Sequence, residues 1–182
     1  MYKEDLKFWI LRGIRMDDKF KGYINTVRDY LKRKPDKGLP FIKINQGSNK
    51  IQHENPMLNE YINFLRECNG ADFGTVLLFS WDELPEEERR LRWFEQDWHL
   101  WGLGDIKNWI CIGVTLTDEV IALNKNNGSI HLFYHGPPPE HVRVLGNSFN
   151  EFLENYIFGI KYLEIAYEKD EWYQVLEDLH FI

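Results

Sequence analysis

A chain of 182 residues with 43% hydrophobic content can bury a full core without disulfide staples and needs no more than one domain. Its net charge of −7 divides unevenly: residues 1–50 carry 13 Lys and Arg against 6 Asp and Glu, leaving 9 against 23 for the rest, so the body repels nucleic-acid phosphate and attracts cationic surfaces. With no apolar leader core, no stretch near the roughly 18 apolar residues of a membrane span, and two distant cysteines (Cys68 and Cys111) in apolar surroundings, the pattern suits a cytosolic protein with buried thiols.

From the N-terminus, Asp17 or Asp18 can cap a helix in which Phe20, Ile24, Val27 and Leu31 recur at helical spacing, and Pro35 stops it. Its Lys and Arg are interleaved with Asp17, Asp18 and Asp29, which fits an amphipathic helix with a solvated basic face better than a nucleic-acid-binding arm. This helix belongs to an N-terminal extension over residues 1–35. Residues 37–52, with Pro40, Gly47, Ser48 and Asn49, read as a loop around one short strand at 41–44. The next helix is the best marked. Asn55 caps it, Pro56 fits its first position, where a missing N–H costs nothing, and Leu58, Tyr61, Ile62, Leu65 and Cys68 form one apolar stripe closed by Asn69 and Gly70.

Residues 73–79 then read as one buried strand, and residues 82–92 as a charged surface segment that is helical. Residues 93–109 hold Trp93, Trp98, Trp101 and Trp109, four of the seven tryptophans, with Glu95, Asp97 and Asp105 between them. Strands follow at 110–114, 120–124 and 129–134, the last two joined by Asn126, Asn127 and Gly128 as positive-φ turn residues, which makes an antiparallel meander the simplest reading. Pro137, Pro138 and Pro139 end the third strand because they lack N–H donors. Ser148 and Glu151 form a capping box for a helix that buries Phe149, Phe152, Leu153, Tyr156 and Ile157 and closes at Gly159. A last amphipathic segment within 160–182, with Trp172, Val175, Leu176 and Leu179, packs back on the sheet.

Signatures of chemistry are weak. His131 and His135 point to one side of a strand, with His141 beyond the prolines, but strand residues four apart are separated by about 13 Å. That is too far for two ligands each about 2 Å from one zinc ion. Trp101-Gly102-Leu103-Gly104 lacks the third glycine and the flanking strand and helix of a phosphate cradle. Ser80 has no elbow glycines, Cys111 has no suggestive spacing to a histidine, and the neighbours Asp118 and Glu119 fit a turn more simply than acid–base catalysis.

Certain words in their order carry a resemblance. The run 59–71, ending Glu67-Cys68-Asn69-Gly70-Ala71, resembles the helix-plus-Asn-Gly signature of the SUKH superfamily, which includes the fungal Smi/Knr glucan-synthesis regulators and many bacterial immunity proteins. Three further matches are the strand 73–79 with its acidic continuation at Asp82 and Glu83, the paired strands around Ile112-Gly113 and 120–133, and the closing Ser148-Phe149-Asn150-Glu151-Phe152-Leu153. The resemblance covers about residues 38–158. It departs at Thr115-Leu116-Thr117-Asp118, where many members have a Gly/Asp-rich turn, and the Trp-rich insertion and first 35 residues lie outside it.

The resemblance implies one α+β domain over 1–182, a mixed, largely antiparallel sheet flanked by N-terminal and C-terminal helices, with no cofactor, no metal and no active site. It also implies an immunity protein that binds a polymorphic toxin, often a nuclease, or else a regulatory scaffold recognising a host protein. The charge pattern agrees, because an acidic surface can occupy the basic surface a nuclease presents to phosphate. On that expectation Asp82, Glu83, Glu86, Glu87 and Glu88 supply charge and Trp98 and Trp101 are anchors. The competing expectation is that the indoles cover core and the glutamate run is a solvated helix face. Exposed indoles would also favour a homodimer.

Overall fold

The computed structural model describes residues 16–34, 39–134 and 142–182, with side chains from residue 19 onward. Residues 1–15, Pro35, the loop start at Lys37, the prolines 137–139, His135 and His141 lie outside the described residues. Helix α1, Met16–Arg33, already includes Met16, so Asp17 and Asp18 lie inside its first turn rather than ahead of it. Its apolar face buries Phe20, Ile24 and Val27 at the expected spacing, with Tyr30 joining them.

After β1, Ile42–Ile44, the Asn55 side chain accepts a hydrogen bond from the Met57 N–H at 2.9 Å and opens a 3-10 turn, Pro56–Leu58, that runs into α2, Asn59–Glu67. α2 ends before Asn69 and Gly70, because Cys68 is already extended. Asn69 acts as a brace: its side-chain oxygen accepts from the Trp81 N–H at 2.9 Å and its carbonyl accepts from the Asn45 amide at 3.0 Å.

The strand expected over 73–79 is two strands, β2 at Ala71–Phe73 and β3 at Val76–Leu78, folded into a hairpin at Gly74-Thr75. Gly74 has φ +64, the glycine-first geometry of a tight two-residue turn, and a Cβ there would overlap the Asp170 carboxylate. That carboxylate accepts from the Thr75 N–H at 2.7 Å, lies against the Tyr162 hydroxyl, and caps the last helix through the Tyr173 N–H at 3.0 Å. One side chain therefore ties the β2–β3 turn to the C-terminal layer.

Next come α3, Leu84–Glu87, and the 3-10 segments Glu88–Phe94, Trp98–Trp101 and Ile106–Asn108. Strands β4, Trp109–Thr115, β5, Val120–Asn124, and β6, Ile130–Phe133, follow as expected, and β7, Val142–Gly146, adds a strand the sequence reading missed. In the β5–β6 turn only Gly128 has positive φ, at +76, so Asn126 and Asn127 do not share that role. Ser148 caps α4, Phe149–Phe152, by accepting from the Glu151 N–H at 3.2 Å, while Glu151 reaches back to the Asn147 N–H rather than to Ser148. A π-helical turn, Leu153–Ile157, a 3-10 turn, Ile160–Tyr162, α5, Leu163–Ala166, and α6, Glu171–Asp178, complete the chain.

The seven strands form one sheet in the order β1-β2-β3-β4-β5-β6-β7, and every pair is antiparallel. Helices flank it, so the architecture is α+β with N-terminal and C-terminal helices, as the sequence implied. Cross-strand partners share a face. Phe73 and its neighbours on one face meet Trp172 of α6 at 4.7 Å and Phe158 at 5.7 Å between ring centroids, and Phe158 in turn meets Phe20 of α1 at 6.2 Å. Strands β4, β5 and β6 are buried along their whole length, which requires cover on the opposite face as well.

Candidate functional site

That cover is the Trp-rich insertion. Trp109, His131 and Phe133 stand on the face away from the helical layer, and the insertion lays Phe94, Trp98 and Trp101 over them, with Trp98 stacked on Phe133 at 5.2 Å and set edge-on to Trp109 at 5.8 Å. The segment has little regular helix because these rings anchor it every few residues, so short 3-10 turns suffice. Its indole N–H groups are satisfied locally, Trp98 to the Gly104 carbonyl at 2.9 Å and Trp109 to the Leu103 carbonyl at 3.2 Å. The same face is open at the other end of the sheet, where Lys43 is exposed and Asp72 and Leu77 are half-buried.

The two expected anchors separate. Trp98 is 5% exposed and packs in the core against Phe133 and Trp109. Trp101 is half-buried, leaning on Trp98 at 5.8 Å and Phe94 at 6.0 Å. The large apolar side chains that the insertion does expose are Trp93, at 53%, and Leu100. Neither was singled out from the sequence. Their signal was positional: Leu91, Phe94 and Trp98 take the buried side of successive turns, which puts Trp93 and Leu100 outside.

The carboxylates gather on the flank where the insertion begins. Asp82, Glu83, Glu86 and Glu88 are exposed, while Glu87 is half-buried. Glu83 accepts from the Ser80 N–H at 2.7 Å and its hydroxyl at 2.6 Å, which fixes the entry to α3. Glu87 pairs with Arg90, whose other guanidinium nitrogen reaches Asp118 at 3.1 Å. Burial works against the Arg90 charge, but the Glu87 and Asp118 carboxylates outweigh it and raise its pKa above the ordinary value. The run is thus partly matched by its own arginines, with Glu86 3.8 Å from Arg89. The cleft of about 440 Å³ beside it, floored by Leu91, Ile106 and Trp109, mixes Glu88 and Glu95 with Arg92, Lys107 and Lys125.

The basic N-terminal helix is engaged elsewhere. Lys19 meets Glu154 at 2.6 Å with its side chain only 10% exposed, Lys21 meets Glu67 at 2.8 Å, and Lys34 meets Asp178 at 2.8 Å. Arg28 donates to the carbonyls of Asn45 and Glu67 at 2.6 and 2.8 Å, holding the end of α2.

Groups with reactive side chains are placed for packing. Cys68 and Cys111 are unpaired and buried, and desolvation pushes both thiols up to about 12. His131 is buried, with Ser129 at 3.1 Å from one ring nitrogen and no partner at the other, and burial lowers its pKa. Among the described residues no cluster of three or more His, Cys, Asp or Glu is arranged to hold a metal, and no helix is long and apolar enough to cross a membrane.

A model of the SMI1 / KNR4 family (SUKH-1) matches residues 56–155, from the Pro56 turn into the π-helical turn after α4. The match takes in β2 to β7 and the whole Trp-rich insertion, and leaves out α1, β1, the 3-10 turn Ile160–Tyr162, α5 and α6. No curated protein and no solved structure matches the chain.

Proposed function

The chain belongs to the SMI1 / KNR4 family (SUKH-1), and on that premise we propose that it is a cytosolic immunity protein that neutralises a cognate toxin, a nuclease in the leading case, by covering the toxin's basic surface. The observation that carries this reading is the insertion itself. Its inner rings are spent on the sheet, yet its outer side presents Trp93 and Leu100 among exposed carboxylates, an arrangement that adds nothing to the core. Asp82, Glu83, Glu86, Glu87 and Glu88 supply the attraction, and Trp101, braced from beneath by Trp98, stiffens the contact surface. A negative field speeds encounter with a basic partner, and rigid aromatic contacts slow its departure. The partner is a protein and not a nucleic acid or a membrane, because a body with 9 basic against 23 acidic residues after position 50 repels both phosphate-rich surfaces.

The test is to purify the chain with the product of the adjacent gene and follow association by stopped flow across ionic strength. The expected result is a stable complex whose association rate falls by roughly tenfold or more from low to high salt. A rate indifferent to salt removes the electrostatic part. A neighbouring product that neither binds nor harms cells lacking this chain removes the immunity reading and leaves the regulatory scaffold in its place.

A further inference from the structure

A second exposed apolar group stands beside the acidic flank, on residues to which no role has been given. Leu116, in the β4–β5 turn, is 66% exposed, and Tyr167, just after α5, is 58% exposed. They line one shallow groove of about 190 Å³ with Thr75, Thr115, Thr117 and Glu168. The turn that lines the groove is tied to the insertion, since its Asp118 holds Arg90 at 3.1 Å and Arg90 lies over the Trp93 ring at 5.4 Å. Leu116 and Tyr167 flank the groove beside Glu168 and Glu119, and Trp93 extends this ridge through Arg90, which Glu87 and Asp118 hold.

Fold stability does not account for Tyr167. Its φ is +65, a left-handed conformation that costs a side-chain-bearing residue free energy and that glycine takes without cost at the end of a helix. Its ring buries little in return. The hydroxyl is instead fixed by donating to the Glu119 carboxylate, 2.7 and 2.8 Å from the two oxygens. Glu119 is itself held by the Thr115 hydroxyl at 3.1 Å. A strained, rigid, exposed aromatic ring clamped to a carboxylate is a contact prepared in advance for something outside the chain.

Resting on the reading that this chain grips a protein, we infer that the ridge of Trp93, Leu116 and Tyr167 is a docking surface for a cationic, amphipathic segment of a partner protein, whose Lys or Arg meet Asp118, Glu119 and Glu168 while its apolar side chains fill the groove. Charge complementarity selects this occupant: Arg90 is already committed to Glu87 and Asp118, and Arg143, whose charge also reaches Tyr167, is committed to Glu164.

The test uses the full chain, isotope-labelled, titrated with a short synthetic peptide of Lys and Leu and, as control, its Glu and Leu counterpart. The expected result is saturable amide shifts confined to residues 90–93, 115–119 and 165–168 with the cationic peptide only. Tyr167→Gly should weaken this binding by about tenfold, the loss of one anchor, while its melting temperature stays level or rises because strain is relieved. Leu116→Asn should weaken it likewise and also leave melting unchanged. No saturable binding, shifts centred elsewhere, or equal binding by Tyr167→Gly each overturns the ridge. The gene-neighbour experiment decides the toxin reading separately, so either proposal can fail while the other stands.

Discussion

Replacing Trp98 by alanine separates a core indole from a contact indole. Trp98 stacks on Phe133 at 5.2 Å, meets Trp109 and Trp101 edge-on at 5.8 Å each, and donates to the Gly104 carbonyl at 2.9 Å. Removing a buried Trp side chain costs about 3–5 kcal/mol once the cavity is included. Against a typical domain stability of about 5–15 kcal/mol, that is a large share. The cost falls first on the insertion, where Phe94 and Trp101 also reach Phe133, at 5.7 and 5.9 Å, but only tilted, whereas Trp98 is stacked on it. Guanidinium unfolding should show a midpoint drop equivalent to about 4 kcal/mol, and hydrogen exchange should accelerate over residues 94–109 and in β6. Trp93→Ala, at an exposed position, should change stability by no more than about 0.5 kcal/mol. If Trp98→Ala costs less than about 1 kcal/mol and leaves exchange unchanged while partner binding collapses, the indole is a contact residue and the layered account of the insertion is wrong.

Gly74→Ala should destabilise the chain by at least about 1–2 kcal/mol from its left-handed φ alone, and by more because the new Cβ displaces Asp170; thermal unfolding reads this directly. Asp170→Ala removes the cap of α6 and the carboxylate that holds Thr75 N–H, for about 2–4 kcal/mol together, whereas Asp170→Asn should retain the cap and much of the stability. His131 has a folded pKa below its ordinary 6.5 because burial disfavours its charge. The unfolded chain therefore binds that proton first, so stability is full above pH 6.5 and declines as pH falls from there toward the folded value, below which this contribution levels off. His131→Gln should flatten urea-derived stability between about pH 5 and 6.5, above the range where carboxylates titrate. Both cysteines should resist an aromatic disulfide reagent in the native state and react fully in denaturant, since their thiols sit at about 12 and are buried.

Much of this architecture was legible because the relevant signals are local. Asn55-Pro56 starts a helix by satisfying N–H groups through the Asn55 side chain, Ser148 does the same for α4, and the apolar spacing of Phe20, Ile24 and Val27 fixes the buried face of α1. The β2–β3 hairpin was not legible. Phe73, Val76 and Leu78 read as one apolar run, and the turn between them depends on Asp170, 95 residues along the chain from Thr75. β7 was missed because its five residues alternate poorly, with Arg143 facing the helical layer and Val144 exposed. For the candidate surface, the sequence marked the acidic run and the tryptophans but not which side each ring would take. That choice is made by the sheet: Phe133 and Trp109 need cover, and Trp98 is the ring within reach.

The uneven charge of the sequence also reads differently in three dimensions. Residues 147–182 carry eight acidic and two basic residues, a stronger imbalance than the eight and four of residues 82–109. Yet two of the C-terminal acids are met by α1 and the residue after it, Lys19 to Glu154 and Lys34 to Asp178, while Lys21 meets Glu67 of α2. The basic helix therefore spends part of its charge inside the protein, against the most acidic part of the chain. Among the described residues, the ion pairs of the insertion and the β4–β5 turn are with the insertion's own Arg89 and Arg90 and not with α1, so a cationic protein approaching from solution finds attraction there that α1 does not offset. Neutralising Lys19 and Lys34 together should accordingly weaken the fold while adding negative potential on the helical side, and it should leave association through Trp93, Leu116 and Tyr167 intact. A variant of that kind that bound a basic partner through the helical face instead would show that the placement of charge by α1, and not the shape of the insertion, had been directing recognition.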